Sequence, residues 1–204
     1  MHSEILTPEQ KELLPILKAF SPSFGLVGGT AIALQIGHRR SIDFDLFSDQ
    51  GFRNGAIIKE IEEIQKIDQI IVNRKEELTF LTNGVKFTFF QFPFKLEYEQ
   101  NFDSYIKIPS LIVLGAMKAY ALGQRAKWKD YVDLYFIIKQ YHSIQEISEK
   151  ATEIFDTKFN EKLLRSQLSY FEDVNYTEQV EFMPGFEVDD ETVKKGLIEF
   201  SLAN

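Results

Sequence analysis

The chain has no cysteine, which excludes disulfides and any zinc or iron–sulfur centre built on thiolates. Its three histidines, His2, His38 and His142, are too scattered for a His cluster. A metal, if one is used, is therefore expected to be Mg²⁺ or Mn²⁺ on carboxylates. No run of 18 apolar residues occurs, and Met1-His2-Ser3-Glu4 is not a basic stretch leading into an apolar one. Neither a membrane span nor a secretion signal is expected, and a cytoplasmic location fits. Excess positive charge is also missing. With 23 basic against 31 acidic residues the net charge is −8, unlike the basic footprint of a general nucleic-acid coat. Local basic patches remain at Arg39-Arg40 and at Arg125-Ala126-Lys127-Trp128-Lys129.

What is present is an ordinary globular composition, 44% apolar, with 19 phenylalanines among 204 residues. That is enough chain to bury one sizeable, aromatic-rich core. Thr7-Pro8-Glu9-Gln10 reads as an N-cap, a first-turn proline and a capping-box glutamine, opening a helix that runs through Phe20. A short strand over 24–27, a turn at Gly28-Gly29 and a helix over 30–36 follow. Residues 41–47 read as a strand and 56–67 as a helix. Strands are predicted over 68–74, 77–81, 85–92 and 105–108, with Asn83-Gly84 as a hairpin turn. After Ser110 only helices are predicted, over 111–122, 129–139, 144–155, 160–171 and 191–202. An acidic, turn-rich connector spans 172–190. The fold class is α+β (α/β): a small mixed β-sheet core over 1–109, flanked by helices, then a C-terminal helical cap over 110–204 packed on the same cleft.

Two segments carry the chemistry. Read with period 2, residues 41–47 place Ser41, Asp43, Asp45 and Phe47 on one face, and Ile42, Phe44 and Leu46 on the other, toward a core. Two carboxylates about 7 Å apart along a strand suit a hard cation that also carries phosphates. The Gly28-Gly29 bend lets backbone approach an anion that a Cβ would block. Thr30 opens a helix whose dipole adds to that attraction. Alternatively, the acids are the solvated side of a half-buried strand and the glycines a plain turn.

The second segment lies on the helix over 111–122, where Leu111, Leu114, Lys118, Leu122 and Arg125 fall near one stripe. Lys118 in an apolar row either meets an anion or snorkels to solvent. Asp130 and Asp133 share a helical face, Lys129 and Asp133 form an i,i+4 pair, and with Arg125 these make either a surface salt-bridge lattice or a phosphate-contacting group. Arg39 and Arg40 are either counter-ions of the acid pair or triphosphate clamps, the second reading being preferred for Arg40 alone. His38 and Ser41 read as structural.

Gly28-Gly29 followed by Asp43-x-Asp45 resembles the motif of the DNA polymerase β-type nucleotidyltransferase superfamily. More narrowly, Gly-Gly-Thr-Ala with His-Arg-Arg-Ser-Ile-Asp-Phe-Asp-Leu-Phe is similar to the AbiEii/AbiGii toxin family of abortive-infection and toxin–antitoxin systems. Lys118-Ala119-x-Ala121, Arg125, Lys129-Asp130 and Asp133-Leu134 resemble that family's downstream block. The resemblance implies Mg²⁺-dependent (or Mn²⁺-dependent) transfer of a nucleoside monophosphate from an NTP to a hydroxyl, with tRNA as acceptor, and a cognate antitoxin; a protein acceptor is the alternative, and the sequence does not choose between the two. It implies Asp43 and Asp45 as metal ligands, and Gly28, Gly29, Thr30, Arg40, Lys118 and Arg125 as nucleotide contacts. Asp130 would orient Lys118 or act near the acceptor hydroxyl. One departure is visible: the strand Val85-Lys86-Phe87-Thr88-Phe89-Phe90 has no acid where many active superfamily members carry a third carboxylate, and Glu77 and Glu97 merely flank it. An inactive nucleotide-binding or partner-binding module with the same fold is the alternative reading.

Overall fold

The computed structural model describes residues 1–203, which fall into two compact units, Met1–Ser110 and the chain from Leu111 onward. The first unit opens with α1 (Pro8–Glu12), capped as its sequence dictates: the Thr7 hydroxyl accepts from the Gln10 N–H, and the Gln10 side chain accepts from the Thr7 N–H. The helix expected through Phe20 is two helices. Leu13, with ψ of 0°, interrupts it before α2 (Leu14–Phe20). Pro15 sits in the first turn of α2, where its missing N–H leaves no bond unmade.

There follow β1 (Gly25–Val27), α3 (Gly28–Ile36), β2 (Phe44–Ser48), α4 (Asn54–Glu62), β3 (Gln69–Arg74), β4 (Glu77–Thr82) and β5 (Val85–Gln91), then the hairpin β6 (Gln100–Phe102) and β7 (Ile106–Ile108). Five strands form a mixed sheet in the order β1-β2-β5-β4-β3, in which only β2 and β5 run parallel. Asn83 (φ 47°) and Gly84 (φ 72°) both take the left-handed conformation that an Asn-Gly hairpin turn requires.

Alternation divides this sheet into two faces. Leu26, Phe44, Leu46, Leu78, Phe80, Phe87 and Phe89 are fully buried on one side. There Phe80 stacks on Phe87 at 5.4 Å and Phe20 of α2 meets Phe89 edge-on at 4.9 Å, contacts worth about 0.5–1.5 kcal/mol each beyond area burial. The strand register places Val27, Asp45, Thr88 and Thr79 together on the other side. The acid strand is shorter than its pattern predicts. It begins at Phe44, and Ile42 is 51% exposed instead of entering the core. Residues 41–43 belong to the approach loop, so the period-2 rule does not apply to them.

The second unit contains α5 (Leu111–Leu122), α6 (Trp128–Gln140), α7 (Ile144–Phe155), α8 (Glu161–Gln167) and α9 (Asp190–Leu202). Helix α5 packs on α6, α7 and α8, and α9 on α6 and α8. Ser143 and Glu146 form a capping box at the start of α7. The helix expected to reach Phe171 ends at Gln167. A Cβ on Gly196 would lie 2.6 Å from the Tyr135 ring, so glycine here sets how closely α9 approaches α6.

Candidate functional site

In the first unit, β1 and β2 pair with Val27 opposite Asp45. The diglycine directly after Val27 therefore lands beside the Asp45 carboxylate. Gly28 and Gly29 are the first residues of α3 and not a turn preceding it. Gly28 has φ +73°, and a Cβ there would overlap the Asp45 carboxylate. Both facts demand glycine. A Cβ on Gly29 would lie 2.5 Å from Nη2 of Arg39 and 3.0 Å from the Ser41 hydroxyl. The start of a helix, a carboxylate and a guanidinium thus converge on two residues without side chains.

Thr30, expected to open the helix after the diglycine, is its third residue, and its side chain is buried. Its hydroxyl is within bonding range of the Ser41 carbonyl at 3.2 Å and makes a short bond to the Asp43 carbonyl. The buried Gln10 side chain also donates to the Ser41 carbonyl, at 2.9 Å. Together these bonds hold the approach to the acid strand in place. Arg40, expected as a triphosphate clamp, donates to the Ile5 carbonyl at 3.3 Å. Arg39 is the guanidinium beside the diglycine, buried and donating to the Arg40 carbonyl at 2.8 Å. Nothing in the sequence separates these two adjacent arginines; burial does.

Asp43 lies just before β2, and its face is settled by Lys86. Lys86 is two residues from Thr88, the register partner of Asp45, so Lys86 stands on the Asp45 side of the sheet. From there its ammonium reaches Asp43 Oδ2 at 2.6 Å. Glu77 is two strands away from β2, about 10 Å by strand spacing, and is held by Arg74 at 2.5 and 2.9 Å. Glu97 is exposed. Among the described residues no group of three His, Cys, Asp or Glu side chains is placed to hold a metal. The donor set is thus two half-exposed carboxylates beside a cradle that a Cβ would fill. That set fits Mg²⁺, which takes one or two carboxylates and completes its shell with phosphate oxygens and water.

In the second unit Lys118 is neither snorkelling nor exposed. Its side chain is 8% exposed, and its ammonium lies 2.5 Å from Asp130 Oδ1 and 2.8 Å from Asp133 Oδ2. Arg125 adds a bond from Nε to Asp130 Oδ2 at 3.0 Å, with its own side chain 54% exposed. Burial alone would push the Asp130 carboxyl up. The charges of Lys118 and then Arg125 outweigh burial and hold it below the usual carboxylate range. The surface lattice allowed by the sequence is therefore a buried cluster centred on Lys118, and Asp133 belongs to its inner part.

The expected Lys129–Asp133 pairing is replaced as well. Lys129 and Lys127 both turn to Glu178 in the acidic connector, at 3.4 and 2.6 Å. Lys127 also bridges Asn175 along the backbone, and the Trp128 indole N–H donates to Asp190 at 3.0 Å. The connector, for which the sequence suggested no role, neutralises much of the basic patch at 125–129.

Known proteins resemble this chain in sequence and in fold. The family model for the nucleotidyl transferase AbiEii toxin of type IV TA systems matches residues 15–109. An uncharacterized protein of Aquifex aeolicus is 30% identical over 201 residues, 96% of this chain and 97% of that one. Among solved structures, the nucleotidyltransferase toxin MenT4 of Mycobacterium tuberculosis superimposes with a TM-score of 0.63 at 14% identity, covering 95% of this chain and 80% of that one. JHP933 of Helicobacter pylori gives 0.58 at 16% identity, covering 95% and 88%. At such identities the two structures speak for the fold alone. Among the described residues no helix is long and apolar enough to cross a membrane.

Proposed function

We propose a reaction for this chain, which belongs to the AbiEii nucleotidyl transferase toxin family: it moves a nucleoside monophosphate from an NTP to a hydroxyl group. The acceptor oxygen forms a bond to the α-phosphorus, the bond from that phosphorus to the bridging oxygen breaks, and pyrophosphate leaves. The observation that carries this reading is Gly28, whose positive φ and missing Cβ put the start of α3 directly against the Asp45 carboxylate. A phosphate chain needs backbone N–H groups at one end and a hard cation at the other, and this arrangement offers both.

In this reading Asp43 and Asp45 hold Mg²⁺ (or Mn²⁺). The ion, when bound, neutralises phosphate charge and aligns the leaving group. The backbone of Gly28, Gly29 and Thr30 faces phosphate oxygens, and Arg39 supplies the guanidinium beside them. By family resemblance Lys118 is assigned to the triphosphate, Asp130 holds the Lys118 ammonium in position, and Arg125 is a further phosphate contact. By the same resemblance the acceptor is tRNA and a cognate antitoxin restrains the activity in the cytoplasm; a protein hydroxyl is the alternative acceptor.

The test is incubation of the full chain with each α-labelled NTP, Mg²⁺ and total RNA or protein. Transfer by wild type and a large loss of it in Asp45→Asn is expected. Failure of wild type to label any acceptor overturns the transfer reading. Among the described residues no third carboxylate joins the pair, which motivates a second reading, a binding module without transfer. The labelling assay separates the two: that module takes up NTP with Mg²⁺ in an Asp45-dependent way, as calorimetry would register, and labels nothing.

A further inference from the structure

We propose that Lys86 is the resident counter-ion of the acid pair, keeping bare divalent cations out and admitting them only on the phosphate chain of a nucleotide. The inference rests on the transferase reading of Asp43 and Asp45 and adds a device to it.

Three observations carry it. The strand next to the acid strand places Lys86 on the acid face, with its ammonium 2.6 Å from Asp43 Oδ2. The pair is accessible, with side chains 37% and 32% exposed. Exposed pairs of this kind contribute roughly 0–1 kcal/mol to stability, so the contact is easily exchanged and is poorly explained as a support for the fold. Finally, the only other acid that the register puts on this face of β4, Glu77, is bonded to Arg74. A bare ion thus meets a pair of carboxylates with the Lys86 ammonium already bonded to Asp43.

Mg²⁺ sheds its water reluctantly and rarely binds to an all-protein cage. With Lys86 on Asp43, the pair alone is a poor exchange for the ion's water. A nucleotide alters the balance because it brings its own oxygens and its own negative charge. Lys86 then has a better partner than Asp43: its ammonium, on a flexible four-carbon stem, turns to a phosphate oxygen and frees Asp43 Oδ2. Binding of ion and nucleotide becomes ordered, with the pair gated by an amine from β5. Position 86, on a neighbouring strand of the acid face, is thereby occupied by a cation that discourages a second metal.

The experiment follows free Mn²⁺ by electron paramagnetic resonance as the full chain is titrated, with and without a non-hydrolysable α,β-methylene NTP. Wild type is expected to hold Mn²⁺ weakly alone and at least tenfold more tightly with the analogue. Lys86→Met should bind bare Mn²⁺ about tenfold or more tightly than wild type, the size of effect that a cation at this distance has on proton binding by a carboxylate. Lys86→Arg, which keeps the charge, should exclude bare Mn²⁺ as wild type does, and Lys86→Gln replaces Lys86→Met should the latter misfold. Equal bare-ion affinity in Lys86→Met and wild type, or equal wild-type affinity with and without the analogue, overturns the Lys86 proposal and leaves the transferase reading intact. Mn²⁺ uptake that Asp43→Asn and Asp45→Asn do not reduce overturns the transferase reading itself.

Discussion

The Lys118 ammonium and the Asp133 carboxylate meet at 2.8 Å inside the helical unit, with 8% and 0% of their side chains exposed. A charge pair this deep contributes little net stability when intact, but breaking it leaves an uncompensated buried charge. Lys118→Met should therefore destabilise the protein by about 3–5 kcal/mol, because Asp130 and Asp133 would face each other without their cation. Urea unfolding monitored by far-UV circular dichroism checks this. Pairing Lys118→Met with Asp130→Asn and Asp133→Asn should recover much of the loss, since the buried groups are then neutral and the remaining cation, Arg125, is 54% exposed.

Acid should act on the same cluster. The native Asp130 carboxyl titrates below the ordinary aspartate value, held there by Lys118 and Arg125 against the opposing effect of burial. A group lowered on folding contributes stability that is complete above its unfolded value and is lost as pH falls through the native one. The stability curve of wild type should thus drop below about pH 4. Asp130→Asn should be less stable at neutral pH and should lack that component of the drop.

The connector offers a second pH-dependent tie. The Glu178 carboxyl is pulled down to about 2, first by its bond from Lys127, with Lys129 adding to it. The tie should be complete above the ordinary glutamate value near 4.5 and lost between there and about 2. Carboxyl ¹³C NMR should give Glu178 a midpoint near 2 in wild type, moving upward in Lys127→Met.

Glycine substitutions should separate by site. Gly28→Ala meets both a φ of +73° and the Asp45 carboxylate. It should cost about 1–3 kcal/mol and weaken Mn²⁺–nucleotide binding by displacing that carboxylate. Gly55, in the first turn of α4, has open space where a Cβ would stand. Gly55→Ala should stabilise by about 0.4–1 kcal/mol. Thermal melts of the two variants check both signs.

Activity should depend on the acid pair beyond any effect on folding. Asp45→Asn keeps the size of the side chain but removes its charge, and should lower labelled-NMP transfer by about 10²-fold or more. Its unfolding midpoint should stay close to that of wild type.

The one-dimensional pattern was enough for much of the local structure. Asn83-Gly84 defined the hairpin that leads into the strand Val85–Gln91. The apolar periodicity of Leu111–Leu122 and Ile144–Phe155 marked both helices to the residue, because side-chain period and backbone geometry are properties of neighbours in the chain. The diglycine and the acid pair were legible for the same reason. What required the tertiary structure was every relation between residues far apart in sequence. The parallel register of β2 and β5 brings Lys86 to Asp43. Burial distinguishes Arg39 from Arg40, and the packing of α5 on α6 places Lys118 between Asp130 and Asp133. Ile42 shows the limit from the other side: its pattern matched a strand, but the ladder of hydrogen bonds that makes a strand starts only at Phe44. Pairing partners and desolvation depend on which segments meet in space, and no period along the chain encodes that meeting.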